Sequence, residues 1–154
     1  HSRYGEIELP GIDSDNDYVP DWWEEKWGYD KNFWNDHKIL DPDADGLNNI
    51  EECYTDKWDS NPYCKDVFLE FDWVEVKNPD KPSNKPADKY VNKIIDIFSE
   101  HNISLHVDMG NLDGGEEIPY ISNFSYADLR DLYWEYFLHK VFWVPVYQLL
   151  SFEK

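Results

Sequence analysis

The chain has 154 residues, with 33 Asp and Glu against 14 Lys and Arg, a formal net charge of -19, and 18% aromatic side chains. That balance excludes a nucleic-acid protein, whose phosphates call for clustered cations, and it disfavours anionic membrane surfaces. No apolar run approaches the roughly 20 residues of a bilayer-spanning helix, and the length allows one domain or a small module followed by a domain.

An acidic rhythm organises the first part of the chain. Asp13, Asp15, Asp17, Asp21 and Glu24 occupy positions 1, 3, 5, 9 and 12 of a calcium loop, and Asp41, Asp43, Asp45, Asn49 and Glu52 repeat that spacing. A hard cation of this size takes about six to eight oxygens. Alternating carboxylates, the position-7 carbonyls of Val19 and Leu47, and a two-oxygen Glu supply them together. Two calcium ions are expected. Gly46 stands at position 6 of the second loop, where a sharp turn favours positive φ, whereas Tyr18 stands there in the first and must accept backbone strain or a different turn.

After each loop comes a short Trp-rich or Glu51-Glu52-Cys53-Tyr54 helix, and Thr55-Asp56 and Asn61-Pro62 follow the second. On these residues the stretch resembles the thrombospondin type 3 repeats of secreted bacterial and archaeal proteins, which are EF-hand-like but generally lack the entering helix. The resemblance implies an extracellular, calcium-organised module over residues 13 to about 64. Trp22, Trp23, Trp27 and Trp34 are read as the small core such a module needs, ahead of a carbohydrate-stacking platform. Cys53 and Cys64 are read as a disulfide closing a short loop in an oxidising compartment, with two thiols as the alternative.

From Val67 to Val76 the residues alternate, which places Val67, Leu69, Phe71 and Trp73 on the buried face of a strand. A Pro-broken connector, 77–86, precedes a helix whose stripe is Ala87, Val91, Ile94, Ile95 and Phe98. Ile103, Leu105, Val107 and Met109 then alternate as a second strand, so the order reads as a right-handed βαβ crossover. In the loop that follows, Asp108, Asp113, Glu116 and Glu117 can form a third cation site, although a solvated acidic loop is the simpler reading. Asn102 and Asn123 head sequons compatible with secretion.

Ser125 to Asp128 form a capping box that opens a helix carrying Leu129, Leu132, Tyr133, Tyr136 and Phe137. A last apolar run, Val141 to Leu150, is expected as an edge strand because Pro145 lacks a ladder donor, which makes it the route to a protein partner or self-assembly. Lys65 to Trp73, Leu105-His106-Val107-Asp108 and Gly114 to Pro119 resemble the front half of a secreted zinc-metallopeptidase-like domain over residues 65 to about 142. The His-Glu-x-x-His motif of that family does not occur in this sequence. Of His1, His37, His101, His106 and His139 no two have i, i+4 spacing, so no zinc site is expected from local spacing, while ligands distant in sequence such as His37, His106 and His139 can in principle converge.

The expected fold class is α+β or α/β: a small calcium-organised loop module, residues 1–64, followed by a βαβ-containing domain, residues 65–154, with a late edge strand. The expected function is that of a secreted or cell-surface calcium-binding structural and interaction protein, not an enzyme. The alternative is a non-catalytic portion of an extracellular zinc metallopeptidase.

Overall fold

The computed structural model describes residues 9–112 and 114–138, and it belongs to the mixed α+β class. Two compact units divide between Asp66 and Val67, inside strand β1 (Lys65–Glu70). His1, Asp113, His139 and the strand expected at Val141 to Leu150 lie outside the described residues.

The first unit is built from two loop–helix repeats. Helix α1 (Asp21–Trp27) and helix α2 (Asn49–Thr55) each begin at position 9 of their acidic loop, and among the described residues no helix leads directly into either loop. Seven residues are too few for a helix to hold by itself in water, so capping and packing must fix both. Gly28, at φ 84°, ends α1 in the left-handed region. Asn48 caps α2 by accepting from the backbone N–H groups of Ile50 and Glu51, while Glu51 accepts from Asn48 N at 3.0 Å. Such a box is worth about 1 kcal/mol.

Val19, Trp23, Ile50 and Cys53 form the core between the repeats, with Leu9, Trp27 and Tyr29 packed on it. Trp23 stacks on Tyr29 with ring centroids 5.9 Å apart. The reading of the tryptophans as core is correct for Trp23 and Trp27 and is corrected for Trp22 and Trp34, which are 40% and 53% exposed. The disulfide is also corrected. Cys53 is turned into the apolar core, Cys64 sits in the turn ahead of β1, and the two sulfurs are not close enough to bridge. Burial pushes the Cys53 thiol well above its ordinary range, which leaves it protonated and inert.

In the second unit, β1 pairs with β3 (Ile103–Asp108), and helix α3 (Asp88–Ser99) lies between them in sequence and packs on β3. Val91, Leu105 and Val107 are the buried core, joined by Phe71, Ile95, Phe98 and Met109. The expected helical stripe thus turns inward at Val91, Ile95 and Phe98, whereas Ile94 stays 40% exposed. The face assigned to β1 is reversed: Asp66 and Phe68 are buried, and Val67 and Leu69 face out. Alternation fixes which residues share a face but not which face is covered, and here Phe68 is held inward by stacking on His106 at 4.5 Å. The strand also stops early, at Glu70. Beyond it the two-residue β2 (Trp73–Val74) pairs in parallel with β4 (Glu117–Ile118), Trp73 opposite Glu117.

Ser125 and Asp128 make the expected capping box at the start of α4 (Tyr126–Leu132), but no residue of that helix is buried, and Leu129 is 51% exposed.

Candidate metal centres

The two acidic loops adopt one backbone conformation despite their different sequences. Position 4 is left-handed in both, at Asn16 (φ 61°) and Ala44 (φ 60°), and so is position 6, at Tyr18 (φ 83°) and Gly46 (φ 100°). The strained-backbone alternative for Tyr18 is therefore the one realised; a bulky residue there is destabilising and persists only where its surroundings demand the turn. The amino group of Lys38 lies 3.5 Å from the centroid of the Tyr18 ring. Position-1 carboxylates accept from position-6 N–H groups at 3.1 Å in both loops, Asp13 from Tyr18 and Asp41 from Gly46. Position-5 carboxylates accept from position 7, Asp17 from Val19 and Asp45 from Leu47.

Around that backbone the oxygens converge in two overlapping groups per loop. In the first loop Asp13, Asp15 and Asp17 form one group and Asp17, Glu24 and His37 the other; in the second loop they are Asp41, Asp43 and Asp45, then Asp45, Glu52 and Asp66. Within each group the donor atoms lie within 4.8 Å of one another. The design is the same twice: position 5 belongs to both groups, position 12 closes the second, and one donor comes from outside the loop. That outside donor is an imidazole in the first loop and a carboxylate in the second.

Several of these atoms are buried and have no hydrogen-bond partner. Both Glu24 oxygens, Glu52 Oε1, Asp43 Oδ2, Asp41 Oδ1 and both Asp15 oxygens are in this condition. Glu24 and Glu52 are 0% and 1% exposed. A carboxylate stripped of water and of donors is costly to ionise unless a cation faces it, and the pKa directions record that cost. Burial first, then the charges of Asp17, Asp15, Asp21 and Asp13, push Glu24 up to about 7. Burial, then Asp66, Asp45 and Asp43, push Glu52 up to about 8, against the lowering effect of the Ser60 hydroxyl, which donates at 2.6 Å. Asp43 rises to about 6, by burial and the adjacent Asp45.

The outside donors escaped the reading by loop spacing. Asp66 belongs to β1 by sequence, yet its N–H donates to Asp45 Oδ2 at 2.7 Å, and its own Oδ2 accepts from Asn61 N at 2.7 Å. His37 is fully buried, with Nε2 3.1 Å from Asp17 Oδ2 and 3.8 Å from Glu24 Oε1. The lone histidine offered no spacing signal; only its place between two acidic loops marked it.

Asp21 and Asn49, expected at position 9, and Asp108, a candidate for a third site, make other contacts. Asp21 lies outside both converging groups, and its two oxygens accept from the backbone N–H and hydroxyl of Ser14, each at 2.8 Å. Asn49 is fully buried, and its amide nitrogen meets His37 Nδ1 at 2.8 Å, so position 9 of the second loop reaches the outside donor of the first. Asp108 accepts from the N–H groups of Gly110, Asn111, Leu112 and Gly114, so its oxygens are occupied in folding the loop after β3. Glu116 and Glu117 join no converging group among the described residues.

A pH dependence follows for the metal-free protein. Glu52 and Glu24 have folded pKa values of about 8 and about 7, above their ordinary 4.5, so the folded chain retains protons that the unfolded chain has released. Stability from these two groups is then fully present below about 4.5 and is lost as pH rises from there through about 7 for Glu24 and about 8 for Glu52. His37, held below its ordinary 6.5 by burial, acts in the opposite sense only below that pH. Thermal melts of chelator-treated protein are expected to show a higher midpoint at pH 6.5 than at pH 8, and added calcium is expected to remove the difference.

No family model, no curated protein and no solved structure matches this chain.

Proposed function

We propose that this chain is a secreted calcium-binding structural and interaction protein, in which two loop–helix repeats are locked by two calcium ions. The observation that carries the reading is the condition of Glu24 and Glu52: two position-12 glutamates buried without a hydrogen bond on at least one oxygen, each facing other carboxylates. Groups of this kind ionise at neutral pH when a cation neutralises them, and a set dominated by carboxylate oxygens favours a hard divalent ion. The ligands in the first loop are Asp13, Asp15, Asp17 and Glu24, and in the second Asp41, Asp43, Asp45 and Glu52, with Asp66 beside them. Calcium also explains the left-handed Tyr18, since closing the loop on an ion offsets the strain of that turn.

Secretion accords with this reading, because extracellular modules meet calcium at about 10⁻³ M and commonly bind it at ~10⁻⁴ to 10⁻³ M. Among the described residues no helix is long and apolar enough to cross a membrane. Assembly through the apolar segment at 141–150 rests on its sequence pattern. Calorimetry of chelator-treated chain with millimolar calcium is the direct test: two equivalents of bound ion are expected, and absence of any calcium heat would overturn the proposal.

A further inference from the structure

The two loops are built alike but recruit different outside atoms, a carboxylate oxygen from Asp66 and an imidazole nitrogen from His37. From that difference we propose that the Asp17–Glu24–His37 group is a site for a divalent transition ion of the zinc class, with His37 Nε2 as its nitrogen ligand. The inference shares Asp17 and Glu24 with the first calcium loop, so it rests on the reading of that loop as a cation site but not on calcium as its occupant.

All three side chains are fully buried. His37 Nε2 lies 3.1 Å from Asp17 Oδ2, an ion pair when the ring is protonated, and 3.8 Å from Glu24 Oε1, and both Glu24 oxygens are without hydrogen-bond partners. With the ring neutral, three buried atoms facing one another at such distances fit ligands around a common centre. Bonds of about 2.0 to 2.2 Å to nitrogen and oxygen place neighbouring donors ~3 to 4 Å apart. Imidazole adds little for calcium, a hard ion, but it is a preferred ligand of zinc and its neighbours.

The surroundings hold the ring as a metal ligand requires. Tyr29 and Trp23 meet it edge-on at 4.9 and 6.1 Å, which fixes its plane. Its Nδ1 lies 2.8 Å from the Asn49 amide, whose oxygen is buried and without a partner. A half-turn of that amide exchanges nitrogen for oxygen. Nδ1–H then donates to Asn49 Oδ1, and the Nε2 lone pair faces Asp17 and Glu24. A metal-bound histidine characteristically donates its second N–H in this way. Asn49 is thus a positioning residue, and Asp17, Glu24 and His37 are the ligands.

The test uses the full chain, stripped with chelator and then held in millimolar calcium. One equivalent of Zn²⁺ is expected to bind with release of one calcium, and Co²⁺ is expected to give a hyperfine-shifted imidazole N–H resonance. His37→Gln is expected to abolish that resonance and to weaken Zn²⁺ by more than the roughly 10- to 100-fold that loss of an outer-shell partner costs, while the second loop keeps its calcium. Should the Gln variant not fold, the shifted proton is assigned in the unmodified chain by its proximity to the Trp23 and Tyr29 rings. Absence of stoichiometric Zn²⁺ binding, a cobalt complex without a shifted His37 proton, or undiminished Zn²⁺ affinity in a folded His37→Gln chain would each overturn the proposal. Calcium titrated alone separates this outcome from failure of the calcium reading.

Discussion

Removing calcium from the full chain is expected to strip amide protection from residues 9–66 and to leave α3 and β3 protected. Binding to the folded state alone stabilises by RT ln(1 + [L]/Kd), about 0.4 to 1.4 kcal/mol per site at ~10⁻³ M calcium and a Kd of ~10⁻⁴ to 10⁻³ M, so two ions contribute about 1 to 3 kcal/mol, a sizeable share of the stability of a small domain. The apolar residues that the first unit buries, Val19, Trp23, Leu47, Ile50, Cys53 and Trp58, hang on the two loops and on helices of seven residues each. Without the ions, the carboxylates grouped in each loop repel one another as well. The second unit has a core of its own, formed by Val91, Leu105 and Val107 with Phe71, Ile95, Phe98 and Met109, and no converging acidic group among its described residues. Hydrogen exchange with and without chelator measures the contrast. Equal loss of protection in both units would contradict it.

Asp45→Ala is expected to be the most damaging single change in the second loop. Asp45 is the one residue common to both of that loop's groups, so its loss removes a donor from each. It also accepts from Leu47 N at 2.7 Å through Oδ1 and from Asp66 N at 2.7 Å through Oδ2, and an unsatisfied N–H costs about 1 to 3 kcal/mol where water cannot replace the partner. The bound calcium is expected to fall from two equivalents to one, with a lowered melting midpoint for the first unit even in calcium. Asp45→Asn retains the size of the side chain but removes its charge, and should lose the ion at a smaller structural cost. Calorimetry and melting of the two variants side by side check both parts; two equivalents retained in Asp45→Ala would show that position 5 is not the hinge of the site.

The local chemistry of the loops was legible residue by residue. Spacing of one carboxylate at every second position is enough to bring Asp13, Asp15 and Asp17 together, and likewise Asp41, Asp43 and Asp45, because a tightly curled backbone leaves them no other direction. The Ser125–Asp128 capping box and the inward turn of Val91, Ile95 and Phe98 on α3 are also local, set by one helical turn and by the helical period. Position 9 was less certain ground. Asp21 had a nearer donor in Ser14, and Asn49 a buried ring to meet, and neither competitor is visible in the spacing.

By itself, the sequence determined where the two loops lie, where their helices start and which residues carry the negative charge, since each depends on neighbours within a few positions. Only the tertiary structure decided the rest. It brought His37 and Asp66 to complete the two sites, turned Asp66 and Phe68 inward on β1 where alternation had favoured Val67 and Leu69, committed Asp108 to the backbone of its loop, and kept Cys53 and Cys64 apart. These outcomes share one physical cause. A period of two or a lone polar residue is satisfied equally well by two arrangements, and which one forms is settled by the partner that distant parts of the chain present.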